Sequence, residues 1–307
     1  MHISARTLRD RLRGALIAAA ATPMTAAGEV DPDVTGRYLA SLVADGADAL
    51  AVLAHTGRGP FLAPDVRAAV IGRAVATGVP VLVGVGGAAD GTAQSAAGEA
   101  RVAAELGAAG VLVFPPPGDR LAWHETVWHE AGLPMIAFDL YTRPCPPGAM
   151  RDLLAHPGVA GLKTALLSDA MGCQRALTLT RDADRLAITG EDRMFAPSLL
   201  WGAQAALVGI AAAHVELTAD VLRAFAGSGL RAFRDASSRL DRLATATFTD
   251  PMEGYVQRML WLAAAEGRVP ASHAFDPYGP PLPAGERETV LRSAGPPAEG
   301  RVTPASG

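Results

Sequence analysis

The feature that most constrains this chain is a regular alternation of short apolar runs with segments of helical periodicity. The runs are apolar along their whole length rather than at every second residue, and many of their residues are β-branched. This pattern is typical of strands buried on both faces, as in a parallel sheet flanked by helices. Eight such runs occur, at 15–21, 49–55, 79–85, 110–115, 134–140, 159–164, 185–190 and 205–211.

The spacing of the runs leaves room for one helix after each strand. Eight strands alternating with eight helices is the pattern of a (β/α)8 TIM barrel, which we predict for residues 14–227. A doubly wound open sheet is the alternative, because a count of strands does not show whether the sheet closes. We expect a short helix over 1–13 and a helical extension over 228–292. Pro, Gly, Ala and Ser dominate 293–307, which we predict to be a disordered tail.

The composition excludes several classes of protein. Half of the 307 residues are hydrophobic and 19% are charged, which supplies a large core and excludes a disordered chain. A net charge of −4 offers no basic surface to nucleic acid or to an anionic membrane. No apolar run reaches the roughly 18–20 residues that span a bilayer. The two cysteines do not make a disulfide framework, so we expect a cytoplasmic protein.

A single lysine stands out. Of the 27 lysine and arginine residues, 26 are arginine and one, Lys163, is lysine. It lies near the carboxyl end of the run 159–164, where barrel enzymes place their active sites. Burial lowers the pKa of an amine, and a neutral amine can form an imine with a ketone or aldehyde. The alternative is a buried ion pair between Lys163 and Glu191 or Asp192.

Polar residues and glycines follow most of the other predicted strands as well. Because parallel strands of a barrel end at the same rim, we expect these residues to surround one site. The segments are Thr22-Pro23, His55-Thr56-Gly57-Arg58, Gly84-Val85-Gly86-Gly87, Phe138-Asp139 with Tyr141 and Arg143, and Gly190-Glu191-Asp192.

In order and spacing, these segments resemble the dihydrodipicolinate synthase / N-acetylneuraminate lyase family of Schiff-base aldolases, over about residues 14–290. The matching segments are 22–24 (family Thr-Pro-Phe), 54–58 (Gly-Thr-Thr-Gly-Glu), the glycines of 84–87, 159–163 (ending in Gly-[Ile/Leu/Val]-Lys) and 189–192 (Ser-Gly-Asp-Asp). The resemblance implies that Lys163 forms an imine with a 2-oxo acid such as pyruvate. It also implies a homo-oligomer, a dimer or a tetramer.

The resemblance further implies a set of substrate-binding residues. Thr56 and Gly57 occupy the positions that bind the 2-oxo-carboxylate in the family. Arg143 lies where an arginine of the synthases helps to hold a second carboxylate. Phe138 at the end of strand five, and Gly190 and Glu191 at the end of strand seven, are added to this set. The predicted substrate-binding residues are therefore Thr56, Gly57, Phe138, Arg143, Gly190 and Glu191.

The chain departs from the family at the residues that move protons. Phe138 replaces the catalytic tyrosine of strand five, and a phenyl ring carries no exchangeable proton. His55 replaces the first threonine of the relay, and two prolines at 116–117 replace its second tyrosine. The candidates for the missing proton carrier are His55 first, then Tyr141 and Asp139. Synthesis of dihydrodipicolinate itself is therefore not predicted.

We predict a lyase in which Lys163 is the nucleophile and His55 and Tyr141 are further catalytic residues. Its reaction is aldol cleavage or condensation of a 2-oxo acid, or dehydration of a deoxy-2-keto sugar acid. No cofactor is expected, because the dinucleotide-like glycines at 84–86 open the third strand–helix unit rather than the first.

Two other functions are compatible with the same barrel. One is a metal-dependent class II lyase, whose hard divalent ion would be held by His55, Asp139, Glu191 and Asp192. The other is a catalytically silent protein that binds a 2-oxo acid, which the missing tyrosines suggest.

Overall fold

The computed structural model describes residues 1–89, 91–227 and 229–294 of the chain. Eight parallel strands form a closed barrel in which each strand pairs with the next and β8 pairs with β1. The predicted (β/α)8 barrel is therefore confirmed. The strands are β1 Leu16–Ala19, β2 Ala49–Val52, β3 Val81–Val85, β4 Gly110–Val113, β5 Met135–Leu140, β6 Val159–Ala165, β7 Leu186–Thr189 and β8 Ala205–Val208.

Twelve helices are formed by the described residues, and those between the strands surround the barrel. They are α1 Ile3–Leu12, α2 Pro32–Ala44, α3 Pro64–Val75, α4 Ala93–Glu105, α5 Arg120–Ala131, α6 Pro147–Ala155, α7 Ala170–Asp182, α8 Phe195–Leu200, α9 Val215–Ala226, α10 Leu230–Thr247, α11 Tyr255–Ala265 and α12 Glu286–Ala294. Residues 293 and 294 of the predicted tail are helical, and 295–307 lie outside the described residues. No helix in the described ranges has the length and hydropathy needed to cross a bilayer.

The strands are apolar throughout because their two faces pack against two different cores. In β5, Ile136 and Phe138 belong to the cluster inside the barrel, whereas Met135 and Ala137 belong to the layer between the strands and the helices. A residue on one face of a strand is followed by a residue on the other. Both faces are buried, so the continuous apolar runs are what this barrel requires.

Helix α1 covers the amino-terminal end of the barrel. Its buried residues Ala5, Leu8 and Leu12 join the cluster of inward-facing strand residues. The first residue of β4 is Gly110, and a Cβ there would lie 2.7 Å from Leu8 Cδ2. This end is therefore closed by packing, and the opposite rim carries the polar strand ends.

The C-terminal extension, residues 229–294, reaches that opposite rim through the segment between α10 and α11. Arg258 of α11 is fully buried beside this segment, and its Nη1 donates to the carbonyls of Thr247 at 3.0 Å and Thr249 at 2.8 Å. From the barrel side, Arg193 Nη1 donates to the carbonyl of Phe248 at 3.1 Å. These bonds hold the segment 248–255 against the strand ends.

Candidate active site

Lys163 projects into the barrel from β6. It is paired in register with Phe138 on β5 and Ile188 on β7, and it is 5% exposed. Its Nζ lies 4.3 Å from the centroid of the Phe138 ring. A Cβ at Gly190 would lie 2.5 Å from Lys163 Cε, so glycine at the end of β7 makes room for the lysine side chain.

Burial lowers the pKa of the Lys163 amine, and the negative charges of Asp192 and Glu191 oppose this only in part. Both oxygens of Glu191 accept amide hydrogens from residues 166–167, at 2.5 and 3.0 Å. Asp192 Oδ1 accepts the amide hydrogen of Ile210 at 2.7 Å, and burial raises the pKa of this carboxyl. In the described part of the chain no ion pair within 4.0 Å joins Lys163 to either carboxylate, although Asp192 lines the same cavity and its charge acts on the amine from a greater distance.

A narrow cavity of about 30 Å³ borders the amine. Phe138, Lys163 and Gly190 line it from the barrel strands. Met252 and Tyr255 line it from the C-terminal extension. The site is thus built from two parts of the chain that are far apart in sequence.

Thr56 reaches this cavity from the turn that follows β2. Its Oγ1 lies 3.0 Å from the hydroxyl of Tyr255, whose ring stacks on Phe248 with centroids 4.8 Å apart. A Cβ at Gly209 would lie 2.9 Å from the Tyr255 ring and 3.2 Å from Thr56 Oγ1. Burial raises the pKa of Tyr255, so its hydroxyl stays neutral and able to donate.

The turn after β2 is fixed by close packing on the backbone of Leu53, which itself has a φ of 58°. A Cβ at Gly59 would lie 2.0 Å from the Leu53 carbonyl oxygen, and one at Gly84 would lie 2.3 Å from it. Only glycine fits at such a distance. Gly84 of β3 therefore serves to pack the strand against this turn. The turn itself places His55 and Thr56 at the cavity.

A carboxylate joins the two predicted proton carriers. His55 Nε2 lies 3.2 Å from Glu253 Oε2, and the hydroxyl of Tyr141 donates to Glu253 Oε1. The imidazole centroid lies 6.2 Å from that of Tyr141 and 6.1 Å from that of Tyr255. The exchangeable protons of His55, Tyr141 and Tyr255, together with that of the Thr56 hydroxyl, thus surround the cavity that Lys163 enters.

Arg58 holds Glu253 in place. Its Nη1 lies 3.0 Å from Glu253 Oε2, its Nη2 donates to the Glu253 carbonyl at 2.9 Å, and Nη2 also lies 2.7 Å from Asp276 Oδ2. Burial alone would raise the pKa of Glu253. Hydrogen bonds from His55, Tyr141 and Arg58 outweigh burial and hold this pKa at about 2, so the carboxylate stays charged.

A larger outer pocket of about 460 Å³ lies above the inner cavity. His55 and Leu140 line both spaces, which are therefore adjacent. Arg143 lines the outer pocket, and its Nη1 donates to the carbonyl of Pro115 at 2.9 Å.

Most of the predicted site residues come together, and a few do not. Around the inner cavity lie Lys163, His55, Tyr141, Thr56, Phe138 and Gly190, and Arg143 borders the outer pocket. Gly57 packs on Leu53, and its carbonyl accepts the Thr22 hydroxyl at 2.7 Å. Gly57 and Glu191 line neither space, and Glu191 binds the loop after β6 instead.

Asp139 was the third candidate for a proton carrier, and the structure places it elsewhere. It follows Phe138 on β5, so its side chain points out of the barrel, opposite to the phenyl ring. Its Oδ1 accepts the amide hydrogen of Cys145 at 2.6 Å. Asp139 therefore shapes the loop after β5 and lines neither the inner cavity nor the outer pocket.

The four residues of the metal-dependent alternative are not brought together. His55 binds Glu253, while Asp139, Glu191 and Asp192 each accept backbone amide hydrogens. In the part of the chain that is described, one group of three side chains could hold a metal ion, and it lies elsewhere. That group is His214, Glu216 and Glu266.

Sequence reasoning missed Glu253 and Tyr255. Both lie in the stretch 252–266, for which only a helix was expected, and no motif there indicates chemistry. Their roles depend on how the extension packs onto the barrel. The sequence carries only an indirect signal for them. Because Phe138 stands where the family has its catalytic tyrosine, another part of the chain has to supply a proton-carrying group.

Comparison with known proteins gives a consistent result. The family model described as "Dihydrodipicolinate synthetase family" matches residues 12–290. A 4-hydroxy-tetrahydrodipicolinate synthase from Stenotrophomonas maltophilia (strain R551-3) is 31% identical over 199 residues, 61% of this chain and 65% of the relative. One from Synechococcus sp. (strain WH7803) is 31% identical over 224 residues, 69% of this chain and 71% of the relative. The matched region thus spans about two thirds of these relatives.

Solved structures share the fold at lower identity. A putative dihydrodipicolinate synthetase from Pseudomonas aeruginosa superposes with a TM-score of 0.80 at 18% identity, covering 91% of this chain and 98% of the other. N-acetylneuraminate lyase from Fusobacterium nucleatum, complexed with pyruvate, gives 0.79 at 16% identity, covering 92% and 96%. At such identities the likeness is one of fold.

Proposed function

Because this chain belongs to the dihydrodipicolinate synthetase family, we propose that it is a lyase that forms a Schiff base between Lys163 and a 2-oxo acid such as pyruvate. One observation carries the proposal: the only lysine of the chain is buried at a strand end, beside a cavity lined by exchangeable protons. An amine whose pKa is lowered by burial is the form that attacks a carbonyl carbon.

The covalent steps follow from that amine. Lys163 Nζ attacks C2 of the 2-oxo acid, the carbonyl oxygen leaves as water, and a protonated imine forms. A proton then leaves C3 and gives an enamine, because the iminium accepts the electron pair of the C–H bond. The enamine carbon bonds to an aldehyde carbon, whose oxygen takes up a proton. Water finally hydrolyses the imine, which releases the product and regenerates the amine.

The proton transfers are assigned to His55 and Tyr141. Both line the inner cavity, and Glu253 accepts a hydrogen bond from each. The Glu253 carboxylate holds the imidazole and the phenol at the cavity, in position to exchange a proton with the bound substrate. The Thr56 hydroxyl, bound to Tyr255, faces the same cavity and is suited to a carboxylate oxygen of the substrate.

Borohydride reduction tests the proposal directly. The protein is incubated with pyruvate and reduced with borohydride, and its intact mass is then measured by mass spectrometry. A stable adduct is expected, and since the chain has one lysine, peptide mapping assigns it to Lys163 or to the α-amino group. Lys163→Arg keeps the positive charge and removes the nucleophile, so it should abolish the adduct.

The outcomes separate the three functions. An adduct at Lys163 together with turnover of a 2-oxo acid supports the Schiff-base lyase. An adduct without exchange of the C3 protons or turnover identifies a silent binding protein. Absence of an adduct, with activity lost on chelation, would establish the metal-dependent reaction instead.

A further inference from the structure

We infer that the outer pocket receives the aldehyde partner of this reaction and that it selects an aromatic aldehyde over polyhydroxylated or carboxylated ones. This inference rests on the proposed Schiff-base chemistry and adds the class of the second substrate. The pocket has a volume of about 460 Å³, within the usual range of roughly 300–1,000 Å³ for small-molecule sites.

An aromatic wall leads from the amine into the outer pocket. The Phe138 ring lies 4.3 Å from Lys163 Nζ, and the Phe114 ring, which lines the outer pocket, lies 5.9 Å from the Phe138 ring. An aldehyde whose carbon approaches an enamine on Lys163 therefore has its substituent against Phe114. A flat apolar substituent gains contact area there without losing hydrogen bonds to water.

The wall formed by the β4–α5 loop lacks hydrogen-bond donors. Residues 115–117 are three consecutive prolines, and proline has no backbone N–H. The carbonyl of Pro115 already accepts a hydrogen bond from Arg143 Nη1 at 2.9 Å. Hydroxyl oxygens of a polyhydroxylated chain placed along this wall would lose water and meet no backbone N–H donor, which disfavours a sugar-derived aldehyde.

The mouth of the pocket is aromatic as well. Phe61 and Tyr278 stack with centroids 4.8 Å apart and an interplanar angle of 12°. The two residues remain 55% and 39% exposed, which is high for large apolar residues. A planar substituent that extends out of the pocket would stack on this pair and shield it from water. Such a ligand would explain why two large aromatic rings are exposed here.

The charges of the pocket argue against a second carboxylate. Arg58 is bound to both Asp276 and Glu253, so two carboxylates already balance its charge. Glu253 presents a negative charge to the same space and would repel an anion. Arg143 remains at the edge, where its exposure to water weakens any ion pair.

The test measures aldol condensation of pyruvate with three aldehydes: benzaldehyde, glyceraldehyde and succinic semialdehyde. We expect kcat/KM for benzaldehyde to exceed that for each of the others by about tenfold or more, on the scale of apolar pocket discrimination. A preference for glyceraldehyde or succinic semialdehyde would overturn the inference. The borohydride adduct with pyruvate forms in either case, so this failure leaves the proposed function standing.

Two variants locate the effect. Phe114→Ala and Phe61→Ala should each lower kcat/KM for benzaldehyde by roughly fivefold to tenfold, as expected for loss of one aromatic contact, and leave the pyruvate adduct intact. Phe225→Ala, at an exposed phenylalanine that packs on Phe233, is the matched control and should change nothing. Phe61 is exposed, so its variant keeps the test decisive if Phe114→Ala fails to fold. Unchanged kcat/KM in Phe61→Ala and in folded Phe114→Ala would place the aldehyde elsewhere.

Discussion

The two halves of the active site are held by different kinds of interaction. On the barrel side, Lys163 and Phe138 are neighbours in a parallel ladder, so backbone hydrogen bonds set their relative position. On the side of the C-terminal extension, Glu253 and Tyr255 are placed by side-chain contacts to Arg58 and Thr56. The nucleophile is therefore fixed by the fold, while the proton carriers depend on a few polar contacts across the cavity.

This difference separates bond formation from proton transfer. Imine formation requires the buried amine and the space that Gly190 provides. Removal of a proton from C3 requires the groups linked by Glu253. Changes at the amine on the barrel side should therefore reduce adduct formation, whereas loss of the Glu253 carboxylate on the extension side should reduce proton exchange and leave the adduct.

The sharpest test of this comparison is Glu253→Gln. The amide keeps the size of the side chain but has only one oxygen, whereas the two oxygens of the carboxylate bind His55 and Tyr141. Exchange of the pyruvate methyl protons with deuterium, followed by NMR, should slow by about 100-fold or more, within the range typical of general acid–base catalysis. Borohydride trapping should still reach completion.

Glu105→Gln is the matched control for that experiment, because Glu105 lies on α4 with an exposed carboxylate 3.8 Å from Arg101. It should leave the exchange rate unchanged. Equal loss of trapping and exchange in Glu253→Gln would show that the two halves do not act separately.

Gly190→Ala tests the barrel side. The added Cβ would lie 2.5 Å from Lys163 Cε and 3.0 Å from the Thr164 carbonyl oxygen, so the lysine side chain must move. We expect the rate of imine formation to fall by roughly 10- to 100-fold, since small displacements of a reacting group have effects of this size. Gly98→Ala is the control, because a Cβ at this helical glycine meets nothing within 4 Å. A normal trapping rate in Gly190→Ala would contradict the placement of the amine.

Tyr255→Phe should have a smaller effect, on binding rather than on chemistry. It removes the hydroxyl that lies 3.0 Å from Thr56 Oγ1 and leaves the ring stacked on Phe248. The pyruvate concentration that gives half-maximal trapping should rise severalfold, and stability should fall by about 1 kcal/mol for the lost buried hydrogen bond. Thr56→Val breaks the same hydrogen bond, so it should lower stability by a similar amount, and the double variant should add little to that loss.

The same contrast explains how much of the molecule the sequence predicts. The local apolar runs predict the strand positions and the barrel. The rule that barrel sites lie at the carboxyl ends of strands then predicts the location of Lys163. Glu253 follows from neither, because its role arises from contacts with His55 and Tyr141, which are far from it in sequence. The structure places Asp139 outside the cavity for a local reason: successive residues of a strand face opposite sides, so Phe138 points into the barrel and Asp139 points out of it.

The least of the expected effects is on stability, and it tests whether the Glu253 contacts hold the extension to the barrel. The folded-state pKa of Glu253 is about 2, below its usual value of 4.5. A depressed pKa contributes stability above the unfolded value, and this contribution is lost as the pH falls from about 4.5 toward 2. The side chain is 37% exposed, so solvent screening keeps the contribution modest. The urea midpoint of the wild type should therefore exceed that of Glu253→Gln at pH 6, and the difference should shrink by pH 3. A difference independent of pH would mean that packing, and not the charge of Glu253, joins the two halves.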